Sequence, residues 1–361
     1  MTMSSHGRES EEYGRHRSGH HRRRHSRRRI RRRRRTIAVC AAVGAVVIGI
    51  SGFFLVRAYQ RQNRLQVTAG NSVDMKSGYR NITYQGKEYQ YNSLITTVLY
   101  AGIDSKGKME SSEQYSNKAR ADSISLVILD KKSQKMSILA LNRDTMTDVR
   151  RYTLNGTDMG MYTTHLGYAY SYGDGGEASC ENLVEAVENL LGIPIDEYAV
   201  TNQTSMPYIN NLAGGITLTV PNNDLAEKYP ELQQGAVVTL DDSNVTDYLQ
   251  YRDTAEDFSN EGRIERQQAY INAYVPQIKT RLSEDMNGVW EELQDMEDYL
   301  QTSITRNKYL ELANLLESVS FSDADYYRPE GEDQAGELHD EFYVDEDALQ
   351  ELVIDLFYEE I

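Results

Sequence analysis

Four charged residues bracket two apolar runs in the stretch ARADSISLVILDKKSQKMSILALNRDTMTDV, residues 119–149. Arg120 and Asp122 enter the first run, and Arg143 and Asp144 leave the second. Guanidinium groups grip phosphate oxygens in bidentate fashion. Carboxylates in numbers hold a hard divalent cation through oxygen. Placed together, the two types describe a phosphoryl or pyrophosphate site with a bridging Mg²⁺ (or Mn²⁺). The plainer alternative is that Arg120–Asp122 and Arg143–Asp144 are ion pairs that close a sheet end. For any single pair that alternative is favoured; the number and mixture of the groups favour the phosphate reading.

Such a site needs elements that bring distant residues together. Ser123–Leu129 and Met136–Leu141 are short runs rich in Ile, Leu and Val, joined by the polar linker Asp130–Lys135. This pattern predicts two buried strands in a β-hairpin. In an antiparallel pair the start of one strand lies beside the end of the other. The four charges therefore meet at one rim. Leu94–Ala101 predicts a further buried strand ending at Gly102–Asp104, and if it runs antiparallel to Ser123–Leu129, Asp104 joins the same rim. Downstream, SCENLVEAVENLLGIPI predicts a helix with Ser179 as N-cap and Gly192 and Pro194 ending it. A second helix is expected near Met206–Leu212 between the strands EYAVTN and GGITLTVP. A long helix from about Asn260 carries Arg263, Arg266 and Gln267 on one face. Arg252, Arg263 and Arg266 join the candidates if that helix packs on the rim. The expected fold class is α/β, a mixed central sheet covered by helices.

Charge divides the 361-residue chain. Residues 1–35 hold 14 arginines against 3 glutamates, so they carry +11 and the remainder −27 of the formal net charge of −16. Between them Thr36–Val56 runs for 21 residues without a charge. At 1.5 Å per residue such a helix crosses a hydrocarbon core of about 30 Å. The long basic region and the absence of a small-residue cleavage motif read as a retained signal-anchor. The adjoining arginines put the N-terminus in the cytoplasm and the acidic bulk outside, as a single-pass cell-membrane protein with an extracellular C-terminal domain. The tail is read as a topology signal with some lipid attraction, and no specific nucleic-acid partner is expected. The expected organisation is a tail over 1–35, the anchor over 36–56, a stalk over 57–92, a catalytic domain over 93–320, and an acidic segment with a C-terminal helix over 321–361 packed on the domain. Cys40 falls in the anchor and Cys180 in the domain, so no intradomain disulfide is available and Cys180 reads as a small buried residue. Gly-x-x-x-x-Gly-Lys-Ser/Thr and Gly-x-Ser-x-Gly motifs are absent, and His165 alone gives a Ser–His–Asp hydrolase little support.

The order of AGID, ARADSISLVILD, LNRDT, HLGYAYSYGDG, LLGIPIDEYAV, LAGGITLTVP and YRD…EGRIERQQ, over about residues 94–280, resembles the LytR-CpsA-Psr family of cell-envelope phosphotransferases. The resemblance implies an α/β/α sandwich and transfer of a glycopolymer, of teichoic acid or capsule type, from a polyprenyl-pyrophosphate carrier to peptidoglycan. By the same likeness Asp104 and Asp122 hold Mg²⁺, and Arg120, Arg143, Arg252 and Arg263 contact the pyrophosphate. Gln267 completes the head-group site, Asp144 orients Arg143, and one aspartate serves as base. Apolar helix faces line a tunnel for the lipid. Asn142 stands where the family usually has Pro or Ser, Gln250 where many members have Arg, and the segment before Arg263 is longer. The Gln250 departure motivates the alternative of a non-catalytic lipid-pyrophosphate-binding scaffold or regulator.

Overall fold

The structure, a computed structural model, describes residues 79–115, 118–251, 259–336 and 340–361. The expected tail and anchor, stalk residues 57–78 and Arg252 lie outside the described residues. Among the described residues no helix is long and apolar enough to cross a membrane.

The centre is a six-stranded mixed sheet. Strand β3 (Ile95–Ile103) is buried at all nine positions, as a strand covered on both faces must be. It pairs antiparallel with β4 (Ala121–Asp130), which pairs antiparallel with β5 (Lys135–Leu141). On its other side β3 runs parallel to β8 (Glu197–Asn202). The order is completed by β11 (Leu300–Thr302) beside β8 and β12 (Tyr326–Tyr327) beside β5; outside this sheet β9 (Ile216–Thr219) pairs with β10 (Val237–Leu240), and β13 (Gly331–Ala335) with the strand Asp340–Val344. The hairpin and the antiparallel third strand stand as expected, so one rim gathers the C-terminal ends of β3, β5 and β8 and the N-terminal end of β4.

Side-chain alternation splits the core into two layers. Val98, Tyr100, Val127 and Ile138 face helices α2 (Met206–Leu212), α3 (Val245–Gln250), α4 (Ser259–Asp295) and α5 (Arg306–Ser318). Leu99, Leu126 and Leu139 face α1 (Glu177–Leu191) and α6 (Glu346–Phe357). An antiparallel ribbon of β6 (Met146–Tyr152) and β7 (Asp158–His165) follows the rim.

Three expectations change. The stalk's last residues are part of the domain: β1 (Asn81–Tyr84) and β2 (Lys87–Tyr91) form a hairpin, and β15 (Tyr358–Glu360) pairs with β2. Tyr91 stacks on Phe357 with centroids 6.3 Å apart, so burial of aromatic surface fixes this end of the chain. Ser179 is not the N-cap, because α1 begins two residues earlier at Glu177. Asp174 instead accepts the Gly176 and Ser179 N–H groups, and the Ser179 hydroxyl accepts from Gly175. Helix α4 continues to Asp295 through non-helical backbone at Asp285, and carries Pro276 inside it. Leu349, Val353 and Phe357 of α6 lie in the core.

Candidate functional site

The rim is built by three local devices. At the start of β4 the register with β3 slips, so that Gly102 faces Ser123 while Ile103 faces Ala121. Asp122 is the extra residue of this β-bulge, a device that re-aims a side chain out of strand alternation. After β5 the chain turns at Asn142–Thr145, with Thr145 N–H donating to the Asn142 carbonyl at 3.0 Å. The Asn142 side chain accepts the Asp144 N–H at 3.0 Å, an Asx-turn. Asn142 therefore supplies in this chain the turn geometry that presents Arg143. Finally Gly167 donates its N–H to the Arg143 carbonyl at 2.8 Å, and a Cβ there would lie 2.7 Å from the Ala121 carbonyl oxygen. Only glycine lets that turn approach so closely.

These devices bring Asp104, Arg120, Asp122, Arg143 and Asp144 together. Asp104 and Arg120 clasp through the backbone: Arg120 N–H donates to Asp104 Oδ1 at 2.7 Å, and Asp104 N–H to the Arg120 carbonyl at 3.0 Å. Arg143 donates through Nη1 to Asp122 Oδ1 and contacts Asp144 through Nε at 3.5 Å. The Asp122 side chain is fully buried, and its Oδ2 has no hydrogen-bond partner among the described residues. Burial pushes the Asp122 carboxyl up to about 7; Arg143 opposes that rise, and Asp104 and Asp144 add to it. The Arg143 guanidinium, despite the cost of burial, is held above its ordinary value by Asp122 and Asp144.

A hard cation fits this rim in one respect and is limited in another. The Oδ2 of Asp122, without a hydrogen-bond partner among the described residues, is an oxygen ligand available to such a cation. No group of three or more His, Cys, Asp and Glu side chains gathers to hold a metal among the described residues. Two carboxylates suit Mg²⁺, which commonly keeps water and substrate phosphate as its remaining ligands.

The second set of expected residues sits around the end of α3. Gln250 donates through Nε2 to Met206 Sδ at 2.9 Å, at the start of α2. Met206 follows the turn that Gln203 and Thr204 make against the Asp104 loop, through Gln203 N–H to the Ser105 carbonyl and Gly107 N–H to Thr204 Oγ1. Arg263 and Gln267 start a stripe on α4 that continues at Ile271, Tyr274, Ile278 and Leu282. Arg266 is different from the expectation. Its side chain is fully buried, and it donates to the Tyr248 carbonyl at 2.9 Å, Asn222 Oδ1 at 3.1 Å, Asp224 and the Tyr251 carbonyl. Gln267 likewise donates to the Leu249 carbonyl at 3.0 Å. Both satisfy the orphan carbonyls that end α3, and Arg266 also binds the side chains of Asn222 and Asp224. The spacing of Arg263 and Arg266 gave no hint of this, because the partners Asn222 and Asp224 lie some 40 residues earlier.

On the same sheet face, between β3, α4 and α5, lies a cavity of about 260 Å³ lined by Val98, Tyr100, Ile278, Leu282, Trp290 and Leu312 among others. Val98 and Tyr100 of this lining belong to β3, the strand whose C-terminal end lies at the rim.

Two outcomes follow. Arg266→Ala should cost about 3 kcal/mol or more in urea unfolding, because buried carbonyls and Asp224 lose a charged donor; unchanged stability would return Arg266 to the substrate-contact set. Since the folded carboxyl of Asp122 sits above its unfolded value, the unfolded chain releases that proton first. Stability should therefore fall as pH rises from about 4 to about 7 in metal-free buffer, with a slope of up to about 1.4 kcal/mol per pH unit from this group. Asp122→Asn should remove that contribution, and an identical slope in the variant would show that Asp122 is not the group.

The family model described as LytR_cpsA_psr family matches residues 54–355. The polyisoprenyl-teichoic acid–peptidoglycan teichoic acid transferase TagV of Bacillus subtilis (strain 168) is 28% identical over 259 residues, which cover 68% of this chain and 58% of TagV. The transferase TagU of Bacillus cereus is 25% identical, over 71% of this chain and 76% of its own. The crystal structure of B. subtilis TagV superposes with a TM-score of 0.53 at 24% identity, over 73% of this chain and 95% of that one. The structure of TagT bound to LIIa-WTA gives 0.54 at 20%, over 81% and 94%. With the ordered motifs, the mixed sheet and a match over residues 54–355, the chain belongs to the LytR-CpsA-Psr family.

Proposed function

We propose that the chain is a phosphotransferase moving a glycopolymer, of teichoic acid or capsule type, from a polyprenyl-pyrophosphate carrier to a hydroxyl of peptidoglycan. The observation that supports it most is an apolar cavity on one face of a sheet whose rim holds Arg143 and an Asp122 oxygen unpartnered among the described residues. That pairing suits a substrate with a long apolar chain and a diphosphate head. The names of TagV and TagU support the same substrate class.

In this reading the lipid lies in the cavity and the diphosphate at the rim. The acceptor oxygen attacks the phosphorus that carries the polymer, a phosphodiester forms, and the bond to the bridging oxygen breaks. Polyprenyl phosphate leaves with that electron pair, and the hydroxyl proton passes to a rim carboxylate. Charge builds on the phosphate oxygens as the bond breaks, and Arg143, fixed by the Asx-turn and by Asp122 and Asp144, is pre-aimed to stabilise it. Arg120 and Arg263 add positive charge around the same head group. Asp104 and Asp122 would hold Mg²⁺; when bound, it supplies further positive charge to the diphosphate. Residues 36–56 would anchor the domain beside a membrane that its lipid substrate cannot leave.

Arg143→Ala and Asp122→Ala should each lower transfer from a polyprenyl-pyrophosphate donor to peptidoglycan by about 10²-fold or more, with cooperative unfolding retained. Full activity in both would remove the site assignment, and polymer held without turnover by the wild-type chain would leave a lipid-pyrophosphate binder. Millimolar Mg²⁺ should move the Asp122-dependent change in stability to lower pH, because a cation favours the ionised carboxylate. A pH profile untouched by Mg²⁺ would remove the metal from this rim.

A further inference from the structure

From the rim a row of guanidinium and phenol groups runs along the surface. The Arg120 guanidinium carbon stands 4.5 Å from the centroid of the Tyr168 ring. Tyr168 lies edge-on to Tyr172 at 6.5 Å. Arg151 lies 5.6 Å from Tyr172 and 4.8 Å from Tyr162. The row starts at the site itself, since Tyr168 feels the charges of Arg143 and Asp144 as well as Arg120.

The backbone builds this row deliberately. Between Arg150 and Tyr152 the register of β6 with β7 slips, and the extra residue lies on β7, between Asp158 and Met161 and opposite Arg151. Such a bulge increases the local twist of the ribbon beside Arg151. Tyr168 and Tyr172 come from the two single turns of 3₁₀ helix after β7. Packing does not require the outer end: Tyr162 is 54% exposed, and a cation–π contact in water stabilises by only about 0.5–1 kcal/mol. Exposed Tyr beside Arg is instead the composition of binding hot spots. The neighbouring Met161 and Met159 are exposed too, which widens the apolar surface beyond what a free face needs.

The chemistry that fits is a charged polysaccharide. The electron-rich face of a phenol ring takes the C–H face of a sugar, and the guanidinium fork takes a carboxylate in two parallel hydrogen bonds. The row also lies on the other side of the central sheet from the apolar cavity, beside Leu166, Ala169 and Tyr170 of the second core layer. Two substrates can thus reach one rim from opposite sides. We propose that Tyr168, Tyr172, Arg151 and Tyr162, running outward from Arg120 at the rim, form the acceptor subsite, which binds a carboxylate-bearing glycan strand and leads its hydroxyl to Asp122 and Arg143. This rests on the transferase reading above and names its acceptor surface.

The test uses the full chain, isolated peptidoglycan sacculi and a polyprenyl-pyrophosphate-linked donor. The variant Arg151→Ala/Tyr162→Ala alters exposed residues outside the catalytic group. It should co-sediment with sacculi about tenfold more weakly, and its KM for sacculi should rise about tenfold with kcat within about twofold. Tyr162→Trp, which keeps an aromatic face, should retain wild-type binding. Unchanged sedimentation and KM in the double variant would overturn the subsite, as would row-dependent binding to phosphatidylglycerol vesicles in place of sacculi. If the wild-type chain transfers nothing yet its sedimentation depends on the row, the subsite stands and the transferase reading falls. If transfer proceeds with a KM indifferent to the row, the subsite alone falls.

Discussion

A carboxylate removed from water beside a guanidinium is the constraint on which the rest of the site depends. Burial of Asp122 raises the cost of its charge, and Arg143 returns part of that cost through one oxygen only. The second oxygen keeps its capacity to bind a proton or a cation. A folded protein tolerates such a group only where the surrounding backbone fixes it. Here a bulge, an Asx-turn and a glycine contact do so, each acting through main-chain hydrogen bonds.

The rim also explains why distant parts of the chain are folded onto one another. The acidic C-terminal segment contributes β14 (Asp340–Val344), where Phe342 N–H donates to the Asp144 carbonyl at 2.9 Å. That bond buttresses the turn that carries Arg143. Helix α6 and β15 then tie this segment to the first described strands. On the opposite face, Arg266 and Gln267 close the end of α3 and so hold Gln250 and Tyr251 beside α2. The surface net charge of the chain matters less than these few fixed positions.

Much of this was legible in the residues. Two apolar runs with charges at one end were enough to predict the hairpin, because β4 and β5 are buried on both faces and cannot be read as loops. Asp104 followed from the direction of one more apolar strand. The bulge at Asp122 was not legible, since an inserted residue leaves no mark in a continuous apolar run. The Asn142 turn carries a signal, an Asn two residues before the amide it caps, which the family pattern alone presents as a departure. Spacing along the helix groups Arg266 with Arg263 but cannot tell which arginine finds buried carbonyls elsewhere in the chain. The pairing of β15 with β2 joins residues more than 260 apart, beyond any local pattern.

The most direct test of the grip on a diphosphate is a crystal structure of the chain with a polyprenyl pyrophosphate and Mg²⁺. The expected density places the diphosphate against the Arg143 guanidinium, a cation on Asp122 Oδ2, and the prenyl chain among Tyr100, Ile278 and Trp290. Density for the diphosphate on another surface, with Asp122 and Arg143 paired to each other alone, would contradict it.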